Sequence, residues 1–185
     1  RIIKVRGEFG VSKTLPTIQA QQRLGKSNAW SQCIANTIVP LFKEGRNGVV
    51  LGHTKIQLIT IMEMCSKLGL TDDQMGLFIG TVKKKDRAAV LEKQALFATF
   101  HIMEVGVDVD RLDFCALAGS KTEVDQAFGR SRRFVEGKPR PLLLDFRNDA
   151  AQFLRANQEK DRFYRKNKFE IIEESLETEH EFSFF

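Results

Sequence analysis

"GVVLGHTKIQLITIMEMCSKLGL", residues 48–70, carries the pattern that decides the fold. It opens with a short apolar run, Gly48 to His53, broken only by glycine. Runs of that kind mark strands covered on both faces. From Lys55 the period changes: Leu58, Ile59, Met62, Cys65 and Leu68 recur at helical spacing, with Gly69 near the end. The stretch reads strand, turn, helix. The alternation continues downstream through "MGLFIG" (75–80) as strand, "VKKKDRAAVLEK" (82–93) as charged helix, and "ALFATF" (95–100) and "FCALAG" (114–119) as strands. An arginine-bearing helix follows, then the strand "RPLLLDF" (140–146) and a long basic helix, roughly Asn148 to Asn167. Near-continuous apolar strands separated by amphipathic helices specify the α/β class, a parallel sheet with helices on both faces and right-handed crossovers.

Upstream the signal is weaker. "RIIKVRGEF" (1–9) reads as an alternating strand and "SQCIANTIVPLFKEG" (31–45) as a helix despite Pro40, with a polar, irregular stretch between them. There is no internal repeat and no low-complexity segment. A chain of 185 residues with 42% hydrophobic and 29% charged content is expected to form one domain with a real core. No apolar run nears the roughly 20 residues a membrane helix needs, so no membrane partner is expected. The absence of an initial methionine suggests a piece of something longer. Cys33, Cys65 and Cys115 are odd in number, far apart and set in apolar runs, which suggests buried, reduced thiols in an intracellular protein. His53, His101 and His180 are equally scattered, and no metal site is expected.

Charge is unevenly spread. All 29 lysines and arginines fall at or before Lys168, against 18 acidic residues there, leaving residues 1–168 at +11. The segment 169–185 holds the other six acidic residues, all glutamates, and no basic one. A basic body fits a polyanionic partner, nucleic acid first, or an ordinary solvated surface.

In parallel sheets ligands bind beyond the carboxyl ends of the strands. Here those tips are Gly52-His53-Thr54, Gly80-Thr81, Thr99-Phe100 and Gly119-Ser120. Such small and hydroxyl residues suit both turns and phosphate contacts. Gly25-Lys26-Ser27 imitates the end of a phosphate-binding loop. However, Ala20 stands where the first glycine belongs, and no buried strand leads in. No acidic cluster follows a strand to hold magnesium, since "LLLDF" offers only Asp145. By this reading the domain alone cannot hold and cleave ATP.

The remaining feature is "QAFGRSRR" (126–133). On a helix Gln126, Arg130 and Arg133 share one face, while Gly129 permits close approach and Arg132 points elsewhere. Arginine's planar fork suits phosphate oxygens. The pattern Gln-x-x-Gly-Arg-x-x-Arg resembles motif VI of superfamily 2 helicases, and neighbouring motifs stand in order. "LFATFHIMEVGVDVDRLD" (96–113) resembles motif V, with Gly106 and Asp108 seven and nine residues after Thr99. "VVLGHTKIQL" resembles motif IV, and "GLFIGTVKKKDRAAVLE" the segment after it. The resemblance covers about residues 45–168 and is to the second, C-terminal RecA-like domain. It is nearest in flavour to helicases of large DNA viruses and phages (the poxvirus-type transcript-release helicase) and their repair-type cousins. One departure is Val105 before the motif V glycine, where such relatives usually have glutamate; Glu104 stands one place earlier.

The resemblance implies a RecA-like domain over residues 1–168, followed by an acidic tail at 169–185. It also implies a preceding N-terminal RecA-like domain, absent from this chain, that grips ATP and Mg2+. Arg130 and Arg133 would be catalytic fingers reaching that ATP, positioned by Gln126, with Gly106 and Asp108 at the nucleotide edge. His53, Thr54, Gly80, Thr81 and Thr99 would lie along the nucleic-acid backbone, DNA ahead of RNA. The expected function is the C-terminal motor domain of an ATP-dependent helicase or translocase, inactive when isolated. It would act inside a cell, or in host cytoplasm or a virion if viral. The alternative is a non-catalytic RecA-like module that binds nucleic acid or protein.

Overall fold

In the computed structural model, which describes residues 1–7, 14–104, 109–121 and 137–175, the elements run as follows. β1 (Ile2–Gly7) leads to α1 (Thr17–Gly25) and α2 (Asn28–Lys43), then β2 (Gly48–Gly52) and α3 (Lys55–Lys67). Next come β3 (Met75–Phe78), α4 (Arg87–Leu91), β4 (Ala95–Thr99) and α5 (Phe100–Glu104). The last described elements are β5 (Phe114–Leu117), β6 (Leu142–Asn148), α6 (Leu154–Lys166) and β7 (Ile171–Ser175). The seven strands form one sheet in the order β3-β4-β2-β5-β6-β1-β7. Every neighbouring pair is parallel. This is the expected RecA-like α/β architecture.

Alternation along each strand divides the core in two. Val50, Phe97, Phe114, Ala116, Leu144 and Phe146 face a layer of α1, α2 and α3, which supplies Trp30, Ile34, Ile38, Phe42, Leu58 and Ile61. Val49, Leu51, Leu96, Ala98, Cys115 and Leu117 face the other way, toward Phe100, Leu112 and Tyr164. Gly48 starts β2 directly against the Phe114 ring: an added Cβ would fall 2.2 Å from its Cε1 and Cζ atoms. The ring packs in turn on Phe42, with centroids 4.9 Å apart. All three cysteines are buried and unpaired, and burial pushes each thiol up to about 12. Among the described residues no helix is long and apolar enough to cross a membrane.

Several elements differ from the sequence reading. The expected helix over 82–93 shrinks to a 3₁₀ turn at Lys84–Asp86 and the five-residue α4. Neither buries a residue fully, and only Val90 and Leu91 pack on the core, too little to anchor a longer helix. β1 is not alternately exposed. It lies between β6 and β7 and is covered on both faces, so even Lys4 is 2% exposed. The polar stretch before residue 28 contains α1, whose inward face is only Ala20, Leu24 and Gly25. The basic helix begins at Leu154 rather than Asn148, because Asn148 ends β6 and its Oδ1 accepts from the Ala150 N–H, turning the chain. The start of the acidic segment forms β7, parallel to β1.

Candidate functional site

An all-parallel sheet presents every carboxyl tip along one edge. β5, β2, β4 and β3 are successive neighbours, so their tips line up in the order Ser120, His53-Thr54, Thr99, Gly80-Thr81. At about 4.8 Å per strand, three steps give an edge about 14 Å long. The structure thus brings together the five tip residues expected to meet nucleic acid.

His53 is the most tightly held of them. Its N–H donates to Gln57 Oε1 at 2.9 Å and its ring Nε2 lies 3.1 Å from the Ser120 carbonyl oxygen. A carbonyl only accepts, so the proton sits on Nε2. The ring leans on Phe100, centroids 4.9 Å apart, and Lys121 Nζ lies 5.5 Å from the centre of that same Phe100 ring. Gly119 is required beside it: an added Cβ would fall 2.6 Å from His53 Cδ2 and 2.8 Å from Nε2. Burial, and then the charges of Lys121 and Lys160, outweigh the Ser120 bond and lower the His53 pKa. His53 is therefore a neutral, oriented ring at neutral pH.

Thr54 caps α3, its Oγ1 accepting from the Gln57 N–H at 3.2 Å. The first turn of α3 has no acidic residue and begins with exposed Lys55, leaving the positive end of the helix dipole uncompensated. Gly80 and Thr81 are exposed, and the nearest atom to an added Cβ at Gly80 is Ile102 Cδ1 at 3.9 Å, so packing does not demand a glycine there. Thr99 is half-buried where β4 passes into α5.

The residues bracing this edge escaped the sequence reading. The Ala118 carbonyl accepts from both Gln57 Nε2 and Trp30 Nε1, while the Ser120 carbonyl also accepts from Gln21 Nε2 at 3.0 Å. One signal for Gln57 was available: Thr54-x-x-Gln57 is the spacing of a capping box. In the structure the carboxamide reaches one residue further back than usual, to the His53 N–H.

On the nucleotide side, Gly106, Asp108, Gln126, Arg130 and Arg133 lie outside the described residues, as do Val105 and Gly129. Gly25-Lys26-Ser27 joins two helices, with Ser27 capping α2, and so lacks the strand-to-helix setting of a phosphate loop. Among the described residues no group of carboxylates, histidines or cysteines could hold a metal ion.

A buried charge cluster lies behind the edge. Asp145 on β6 accepts from Lys160 Nζ, from Arg147 Nε at 2.7 Å and from Tyr164 OH at 3.1 Å. Asp161 lies 2.8 Å from Lys4 Nζ and 2.9 Å from Arg147 Nη1. Burial opposes the Asp145 charge, but Lys160 and Arg147 outweigh it and hold the carboxyl below its usual range. The cluster fastens α6 to β6 and β1. It also places Lys160 and Tyr164 indoors, while Phe163 packs on Phe169.

The fold is of the helicase C-terminal, RecA-like type, as the resemblance implied. The crystal structure of T4 UvsW superposes with a TM-score of 0.75 at 16% identity, covering 95% of this chain and 41% of that one. The C-terminal domain of the DEAD-box protein Dbp5 matches with a TM-score of 0.59 at 13% identity, over 77% of this chain and 83% of that one. The helicase MrfA, solved with DNA and AMPPNP, matches with a TM-score of 0.56 at 16% identity, over 73% and 20%. In sequence, a protein of Acanthamoeba polyphaga mimivirus, provisionally named an ATP-dependent RNA helicase, is 25% identical over 149 residues. That alignment covers 78% of this chain and 29% of the relative, so the chain spans under a third of its length. No family model matches.

Proposed function

We propose that the chain is the second motor lobe of an ATP-dependent nucleic-acid helicase or translocase. The observation that carries this reading is the ordered edge of His53, Thr54, Thr99, Gly80 and Thr81 on a helicase-type sheet. It offers threonine hydroxyls, backbone N–H groups and a helix N-terminus, groups that contact phosphates without reading sequence. The order of motifs IV to VI on this fold supports the rest. Arg130 and Arg133 act as fingers on an ATP held, with Mg2+, by a preceding RecA-like lobe; Gln126 positions them, and Gly106 and Asp108 border the nucleotide. Alone, the chain binds nucleic acid and turns over no ATP. Closure of the two lobes on ATP and their release on hydrolysis would step the pair along a strand.

The relatives do not favour one track. MrfA was solved with DNA, Dbp5 with RNA, and the mimivirus protein is named for RNA. The substrate is therefore proposed as nucleic acid, without the preference for DNA. The test is ATP hydrolysis by the longer protein carrying both lobes, with single- and double-stranded DNA and RNA added in turn. Stimulation by one of them supports the motor and names its track. Hydrolysis indifferent to all of them removes the motor reading.

A further inference from the structure

β3 is the edge strand of the sheet. Beyond its tip the chain turns through Gly80 and Thr81, with the Val82 N–H donating to the Ile79 carbonyl at 2.9 Å. It then presents Lys83, Lys84 and Lys85, all exposed, before α4 returns along the sheet. The turn is held by its own bonds. Asp86 N–H donates to the Lys83 carbonyl at 2.9 Å, and Arg87 Nε to the Val82 carbonyl at 3.4 Å. The three ammonium groups form no ion pair among the described residues, and Lys83 caps its 3₁₀ turn without a side-chain hydrogen bond. The neighbouring carboxylate is Asp86, one against three lysines and Arg87. Charges so crowded repel one another and contribute nothing visible to folding, yet they follow directly on the tip of the edge strand.

We propose that Lys83, Lys84 and Lys85 form an outboard phosphate-binding site, which takes the nucleic-acid backbone as it leaves the sheet edge. This rests on the nucleic-acid reading of that edge and extends it. The tips cover about 14 Å, which at about 3.4 Å of axis per phosphate of a B-form strand is about four nucleotides. A strand of that length is satisfied by the tips, and a longer one overhangs β3 onto the lysines. The site is electrostatic: ammonium groups on flexible stems follow a backbone and read no bases.

The experiment compares the chain with a variant carrying Lys83→Ala, Lys84→Ala and Lys85→Ala together. Affinity for a four-nucleotide and a twenty-nucleotide strand, and for a duplex of the longer one, is measured by fluorescence anisotropy across salt concentrations. Arg87 is left in place because it closes the turn, and an unchanged thermal melt confirms that the variant folds. With single strands releasing about 0.7 counterions per neutralised phosphate, loss of three contacts lowers the salt slope on the long strand by about 2. The affinity gap between the two proteins then narrows about 100-fold from 0.1 to 1 M salt. On the four-nucleotide strand the two proteins match. Loss confined to the duplex would place the site on a double-stranded arm and still support it. Parallel salt slopes on every long substrate overturn the outboard site alone. A wild-type chain that binds no nucleic acid overturns it together with the proposed function.

Discussion

Gly119→Ala tests how the edge is built. The backbone of Gly119 is not left-handed, so an alanine is conformationally allowed and the cost is steric. Its Cβ would sit 2.6 Å from His53 Cδ2, against about 3.5–4.0 Å for a relaxed carbon contact. The ring must retreat by about 1 Å, but Phe100 stands against it and the Ser120 carbonyl holds its Nε2. Overpacking of this kind costs about 1–3 kcal/mol, and the lost hydrogen bond about 1 kcal/mol more. The expected loss is thus about 2–4 kcal/mol, or about 5–15 °C in Tm for a domain of this size. Chemical denaturation of the wild type, both single variants and Gly119→Ala combined with His53→Ala forms a thermodynamic cycle. With the ring gone, Gly119→Ala should cost under about 0.5 kcal/mol, a coupling near 2 kcal/mol or more. Equal cost in both backgrounds would refute the account of the edge.

Other expectations concern the charges behind the edge. Asp145→Ala strands Lys160 and Arg147 without their shared counter-ion and should cost about 3–5 kcal/mol, read by urea denaturation. Replacing both ends of the pair, Asp145→Leu with Lys160→Met, should cost less than Asp145→Ala; a greater loss would contradict the electrostatic explanation. Because the folded His53 pKa lies below its free value, the unfolded chain binds the extra proton first. Stability from this group is therefore complete above about pH 6.5 and is lost as pH falls below it. A His53→Gln variant should lack that component, and an unchanged pH profile would exclude His53 as its source.

The sheet was legible because its strands are buried on both faces and read as apolar runs whatever their neighbours. β7 and α1 were not, and the reason is physical in each case. Ile171-Ile172-Glu173-Glu174 is a strand because buried Lys4 reaches Glu173 at 2.8 Å across the β1–β7 pair, a partner 169 positions away. α1 buries one short face, and its Ile18 is 70% exposed, so it has almost no periodicity to detect. The tip residues of the site could be read from strand order alone, since a parallel sheet must align them. Their bracing could not: Gln57, Trp30 and Gln21 act on carbonyls 61, 88 and 99 residues distant. The helicase motifs supplied the arginines, which no apolar pattern marks.

Arg130 and Arg133 are proposed to complete an ATPase site on another lobe. This role is tested most directly by single-turnover ATP hydrolysis in the two-lobed protein with its stimulating nucleic acid, comparing wild type with Arg130→Ala and Arg133→Ala. A fall in rate of about 10³–10⁵ is expected for each finger, with nucleic-acid affinity and thermal stability retained. Hydrolysis at the wild-type rate in both variants would contradict this role and leave a RecA-like module that binds without driving.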